Sequence, residues 1–283
     1  MVENESKQSL GLTSAARVRA SGPILLLAIL FVIAVFLSWY FTWFGRGLSD
    51  SEISKYLNDE KHPRHVQHAL LQIQDRLEKG DRSARQWYPR IVALAANPET
   101  EFRLTVAWLM GSDNSSEEFK QTLLKLVHDP EPIVRRNAAL ALLRFNERAG
   151  RQELLDILQP YTVPAPSAGV LASTLKEGSA VTRGTLLARI QSSDGQVQEV
   201  RSPLPGKINR LTAANGTRVS VGDPLLTINS DDESIWEALR GLALVGESGD
   251  LPVIEPYTQQ TGTRISEQAS LTVEAIRKRS PAK

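Results

Sequence analysis

Hydrophobic positions follow three different rhythms along this chain. From Pro23 to Phe44, "PILLLAILFVIAVFLSWYFTWF", apolar residues run on for twenty-two positions without a charge. From about residue 59 to 161 they recur every three or four positions among Arg, Glu and Gln, as in "DPEPIVRRNAALALL" from Asp129, which predicts amphipathic helices. Between 162 and 230 they form short stretches broken by glycine, which predicts strands and tight turns. Helical spacing returns after Asp231 and lasts to about residue 279.

The uncharged run predicts a transmembrane helix over residues 22–44. At about 1.5 Å per residue it reaches about 33 Å, enough to cross a hydrocarbon core with some tilt. Trp39, Tyr40 and Trp43 cluster at its downstream end, where amphipathic rings suit a headgroup boundary. The run is too long for the apolar part of a cleaved signal peptide, and bulky aromatics occupy the place of small cleavage residues. Lys7, Arg17 and Arg19 precede it, whereas Arg46 alone follows closely. That bias predicts a cytoplasmic tail over 1–21 and a periplasmic, or otherwise extracytoplasmic, remainder anchored in the inner membrane. Residues 45–58 read as a linker.

The helical region repeats. "NPETEFRLTVAWLM" from Asn97 aligns with "DPEPIVRRNAALAL" from Asp129 at an offset of 32, matching Pro98 with Pro130, Glu99 with Glu131, Arg103 with Arg135 and Ala107 with Ala139. Each copy opens with a turn or capping residue and a proline near the first helical position, and a second helix follows. A looser copy, "HPRHVQHALLQIQDRL", comes first. Two helices per period of thirty-odd residues predict stacked hairpins, because one hairpin cannot cover its own apolar face. The segment at Asp129, Val134, Arg135, Ala138 and Ala139 resembles the short variety of HEAT repeat. That resemblance implies a structural role for such arginines, paired with an acidic residue of a neighbouring repeat. "DDESIWEALRGLALVGESGDLPVIEPY" can be laid beside the segment from Asp129 to Tyr161, so the array is expected to resume over 231–279, leaving a short tail over 280–283.

The strand region is doubled. Pro166 falls on Pro203, Gly169 on Gly206, and, after a one-residue insertion, Gly178 on Gly216, Val181 on Val219, Gly184 on Gly222, Leu187 on Leu225 and Ile190 on Ile228. Thirty residues cannot enclose a core, so the halves are expected to interlock. This pattern over 163–229 resembles the biotinyl/lipoyl carrier fold, a barrel-like sandwich of two pseudosymmetric halves. The resemblance implies a modified lysine at the tip of the hairpin joining them. Here that hairpin reads "QSSDGQVQEVRSP", and alignment on "EVRSP" places Gly195 where the lysine would lie. Asp194 and Gly195 predict a two-residue type I′ turn. Lys176 and Lys207 lie elsewhere in the repeat. No covalent cofactor is expected. The periplasmic adaptor, or membrane-fusion, proteins of export systems resemble this chain in pairing a membrane helix with such a barrel. They place a long helical hairpin where this chain has only Asp-Gly.

Composition narrows the chemistry. The chain of 283 residues has no cysteine, which excludes disulfides, thiolate metal sites and cysteine nucleophiles. A net charge of +1 gives no basis for a nucleic-acid surface. Phosphate-cradling glycine loops, H-E-x-x-H and G-x-S-x-G are all missing. In "HPRHVQH", His65 and His68 stand three apart on a helix and could share a metal, with His62 outside the helix before Pro63. Surface or capping histidines are the simpler reading, so no metal site is expected, and His128 is expected to close a helix.

Together these readings predict an α+β multidomain protein: a transmembrane helix, a HEAT-like solenoid over 59–161 and 231–279, and an inserted all-β biotinyl/lipoyl-like barrel over 162–230. The expected function is non-catalytic, a scaffold or adaptor that binds protein partners in an envelope complex such as an export system. Two alternatives stand beside it. Short HEAT-like repeats also occur in bilin lyases, and an unconventional carrier would be modified at Lys176 or Lys207.

Overall fold

The computed structural model describes residues 22–39, 47–259 and 262–279. The chain divides into two units, Met1–Ser49 and Asp50–Lys283. The first holds helix α1, Gly22–Trp39, which carries no charge and exposes Leu26, Phe31 and Phe36 among others. Its 18 residues reach about 27 Å, short of a hydrocarbon core of about 30 Å. Among the described residues no helix is long and apolar enough to cross a membrane. The span expected over 22–44 is thus described as helix only through Trp39, while Tyr40 and Trp43 lie outside the described residues.

The second unit begins with a helix that the linker reading overlooked. Helix α2, Asp50–Leu57, buries Ile53 and Leu57 against helix α3, Pro63–Glu78. Three hairpins follow from α3 onward. Helix α3 is paired, through a 3-10 turn over Arg82–Trp87, with α4, Tyr88–Leu94. Helix α5, Thr100–Met110, is paired with α6, Glu117–Leu126, and α7, Pro132–Arg144, with α8, Arg151–Ile157. Phe102, Val106, Phe119, Leu123, Val134 and Leu142 are fully or almost fully buried between them. Burying each such side chain contributes on the order of 1.5–3 kcal/mol, and only stacking makes this burial available.

The aligned repeats superimpose in function as well as in sequence. Glu99 and Glu131 cap α5 and α7, so Pro98 and Pro130 stand one residue before the caps rather than inside the helices. Arg103 Nη1 donates to the carbonyls of Asn97 and Pro98, both at 2.9 Å, and Arg135 Nη1 to those of Asp129 and Pro130 at 3.0 and 3.1 Å. Each arginine therefore closes the turn that starts its own helix. Its Nε then reaches an acid: Arg103 meets Asp129 at the head of the next hairpin at 2.7 Å, and Arg135 meets Glu153 on α8 at 2.8 Å.

After α8 come eight strands: β1 Tyr161–Pro164, β2 Gly169–Ala172, β3 Ala180–Val181, β4 Leu186–Gln191, β5 Val197–Arg201, β6 Gly206–Leu211, β7 Arg218–Val219 and β8 Pro224–Asn229. They form two four-stranded antiparallel sheets, ordered β1-β8-β6-β3 and β5-β4-β2-β7. Exchanging each strand with its counterpart in the other half (β1 with β5, β2 with β6, β3 with β7, β4 with β8) turns one order into the other. Each sheet thus takes two strands from each half, and the halves interlock. The module is a sandwich of two open sheets rather than a closed barrel, since β1, β3, β5 and β7 remain edges.

Register obeys the same symmetry. Tyr161 pairs with Ile228 as Gln198 pairs with Ile190, and Thr162 with Thr227 as Glu199 with Arg189. Both edge pairings then skip one residue on the inner strand, Leu225 in one sheet and Leu187 in the other, and both leucines are buried. The symmetry breaks once. Leu171 and Ala172 pair with Ile190 and Arg189 in sequence, whereas Ile208 and Arg210 pair with Ile228 and Thr227 around an extra Asn209. The one-residue insertion of the second half is this bulge. A Cβ on Gly169 would fall inside 3.0 Å of the Gln191 carbonyl oxygen, and one on Gly206 would meet the Asn229 oxygen in the same way.

The helices resume with α9, Asp232–Val245, whose N-cap Asp231 accepts from Ser234 N at 2.8 Å. Helix α10, Leu251–Ile254, a 3-10 segment over Glu255–Gln259 and helix α11, Arg264–Arg279, complete the array. Helix α9 packs on α7, α8 and α11, so the solenoid continues past the sandwich. The basic end of α11 acts as a cap: Arg279 Nη2 donates to the Gly246 carbonyl at 2.9 Å at the close of α9.

Candidate functional site

The hairpin tip is the first place to test for chemistry. It joins β4 to β5, and Ser192 N donates to Gln196 O at 2.9 Å while Gly195 N donates to Ser192 O at 3.1 Å. Gly195 has φ +83°, and Asp194 is not among the positive-φ residues. The loop is therefore three residues, Ser193-Asp194-Gly195, a type I turn followed by a left-handed glycine, and not the expected two-residue I′ turn, which needs positive φ at both positions. Local side-chain bonds decide it. The Asp194 carboxylate accepts from the Ser192 hydroxyl and from Gln196 N, which holds Asp194 in the right-handed region and its pKa below the usual carboxylate range, with the Ser192 bond the main cause. No amine stands at the tip. Lys176 lies in the exposed loop between β2 and β3, and Lys207 on the outer face of β6.

The histidines regroup. His68 Nε2 faces Gln72 at 3.0 Å and stays apart from the others. The structure instead gathers Asp59, His62 and His65: Nδ1 of His62 lies 2.8 Å from Asp59 Oδ1, and Nδ1 of His65 lies 2.8 Å from Asp59 Oδ2. Hydrogen bonding from His62 first, then His65, lowers the pKa of Asp59. His65, weighed as a candidate beside His68, converges instead with Asp59 and His62, because the turn before the helix rather than helical periodicity brings these groups together. The missed residue is Asp59; its only sequence signal is the regular spacing of Asp59, His62 and His65. His128 does stand just after α6.

The arginines of α7 separate. Arg135 is partnered as described, whereas Arg136 is 6% exposed with Nε 4.0 Å from Glu153 Oε1. Its Nε and Nη1 have no hydrogen-bond partner, and burial pushes its pKa down. Burial likewise raises the pKa of Glu153, against the opposing bond from Arg135.

A groove of about 550 Å³ runs along the first helices of successive hairpins, α3, α5, α7 and α9, with α11 at its end. Trp108, 50% exposed, and Leu244, 62% exposed, face it together with half-buried Leu140. Glu78, Glu237, Arg144 and Arg240 supply charge of both signs around the apolar floor. Burial, then the neighbouring Glu233, raises the pKa of Glu237. Sequence reasoning missed this surface; the signal was a tryptophan and leucines beyond those that the hairpin stacking needs. Large apolar side chains left exposed on a rigid concave face are what a protein interface offers.

Comparisons with known proteins agree with this division. Residues 88–164 match the model of HEAT repeats, and residues 161–228 match the biotin/lipoyl model described as "biotin-requiring enzyme". No curated protein matches. Among solved structures, a single-chain, multi-domain long-chain acyl-CoA carboxylase aligns at 18% identity and a TM-score of 0.24, covering 37% of this chain and 11% of that one. At that level the likeness carries no argument, and the chain spans only a small part of that protein. This is a helical-repeat chain carrying a biotinyl/lipoyl-type sandwich.

Proposed function

We propose that the protein is a non-catalytic, membrane-anchored scaffold whose helical groove binds a protein partner in an envelope complex, in the manner of an adaptor of an export system. The observation that carries this reading is the groove with exposed Trp108 and Leu244 on a face built from α3, α5, α7, α9 and α11. The uncharged sequence from Pro23 to Phe44 supports the anchor, and the bias of Lys7, Arg17 and Arg19 supports a cytoplasmic N-terminus. Gly195 at the tip supports a sandwich used for its shape rather than for cargo.

Gentle purification of the full chain from membranes tests it. A partner should co-purify in fixed proportion and be lost when Trp108→Glu and Leu244→Glu are combined, with helical content unchanged. A monodisperse chain without a partner, or a partner indifferent to both substitutions, overturns the reading. The matching biotin/lipoyl model favours one alternative, a carrier modified away from the hairpin tip. Intact mass decides between them: the scaffold has the mass of its sequence, and a carrier shows added biotin or lipoate at Lys176 or Lys207.

A further inference from the structure

We infer that Asp59, His62 and His65 form a binding site for a borderline divalent metal ion such as Zn²⁺, with an open coordination position facing solvent. The three side chains bring two imidazoles and one carboxylate, a donor set that suits Zn²⁺, Ni²⁺ or Cu²⁺ and does not suit Ca²⁺ or Mg²⁺. Their ligand atoms all lie within 4.8 Å of one another. Bonds of about 2.0–2.1 Å to a tetrahedral ion need ligand atoms about 3.3 Å apart. The two Nδ1···O separations of 2.8 Å therefore open by about half an ångström on binding. Exposed side chains make that adjustment by small rotations, since His62 is 65% and His65 43% exposed.

The backbone beneath the cluster is already fixed. Asp59 N donates to Tyr56 O at 3.1 Å, His62 N to Asp59 O at 2.9 Å and His65 N to His62 O at 2.8 Å, so the turn into α3 holds all three residues in place. The Tyr56 ring stacks on His65, with centroids 4.4 Å apart and planes 12° apart. That contact sets the plane of one imidazole so that Nδ1 faces the carboxylate. Both imidazoles present the same nitrogen, Nδ1, to one carboxylate, which is the convergence that a shared ion requires. Their ring edges open to solvent, which provides an entry path and room for a water as fourth ligand. His68, although next in the sequence pattern, is engaged with Gln72 and is no ligand.

The ion would bridge the turn between α2 and α3 and so lock the first helix of the second unit onto the array. Calorimetric titration of the chelator-stripped full chain with Zn²⁺ is expected to show one saturating equivalent. His62→Ala, His65→Ala and Asp59→Ala each weaken it by more than about tenfold, and His68→Ala leaves it unchanged. Co²⁺ in place of Zn²⁺ should give the visible absorption of a four-coordinate ion in the parent chain and lose it in His62→Ala. Circular dichroism of each variant confirms that the helices persist. No saturable Zn²⁺ binding, binding untouched by the three substitutions, or equal loss in His68→Ala overturns the assignment.

Discussion

The hydroxyl of Tyr257 donates to the carbonyl oxygen of Leu158 at 2.6 Å across 99 residues of sequence. Arg151 spans the same interval to reach Asp250 at 2.7 Å. The helices before and after the sandwich are thus bonded directly to each other, and the sandwich leaves the array between them. Its ends leave together, because Tyr161 and Ile228 are paired neighbours on β1 and β8, about 5 Å apart by antiparallel geometry. Excising residues 162–227 and joining the ends through a short Gly/Ser linker should leave a folded array. Helical circular dichroism with a cooperative melt is the expected result; a chain that melts without cooperativity would refute the insertion.

The matched glycines give a second expectation. Gly169→Ala and Gly206→Ala each press a methyl group on a backbone oxygen that cannot move without breaking its sheet. Each should cost about 1–3 kcal/mol, with Gly206→Ala the costlier because its φ of +156° adds backbone strain, as measured by urea unfolding. Tolerance at either site would contradict the close approach.

Much of this was legible beforehand, for identifiable reasons. A thirty-residue half that cannot close its own core must interlock with its copy, and an alignment with one extra residue must place it somewhere; it sits at Asn209. What escaped was set by contacts that no pattern encodes. Asp-Gly is compatible with both hairpin loops, and the Ser192 and Gln196 bonds to Asp194 select the longer one. Helix α2 is too short to show a full apolar stripe, and Asp59 joins the histidines only because a turn folds it back. The 22-residue apolar run exceeds the helix described within it.

Arg103 and Asp129 tie successive hairpins, with side chains 11% and 5% exposed. Truncating either to Ala leaves a nearly buried charge without its partner and should cost about 3 kcal/mol. The double variant should cost clearly less than the sum of the two. A double-mutant cycle with additive losses would show that the pair is not coupled.

Asp113 should contribute to the acid limb of stability. Burial pushes its pKa up, but bonds from Ser115 and Tyr88 and the charge of Arg85 outweigh this and bring it to about 2. Tyr88 Oη lies 2.6 Å from its Oδ2. A depressed pKa contributes stability that is fully present above the ordinary value of 3.8 and is lost as pH falls towards about 2. Urea midpoints followed across that window should fall more steeply in the parent than in Asp113→Ala, the two curves converging at the acid end. Parallel curves would rule out this residue as the cause.

The adjacency of β1 and β8 also has a mechanical side. Tension applied along the solenoid is transmitted from α8 straight into α9, so the sandwich hangs beside the line of force like a pendant on a chain. A partner tugging on the helices would leave its hydrogen-bonded sheets unstretched, while the ion pair of Arg183 with Glu101 keeps the sandwich moored to α5.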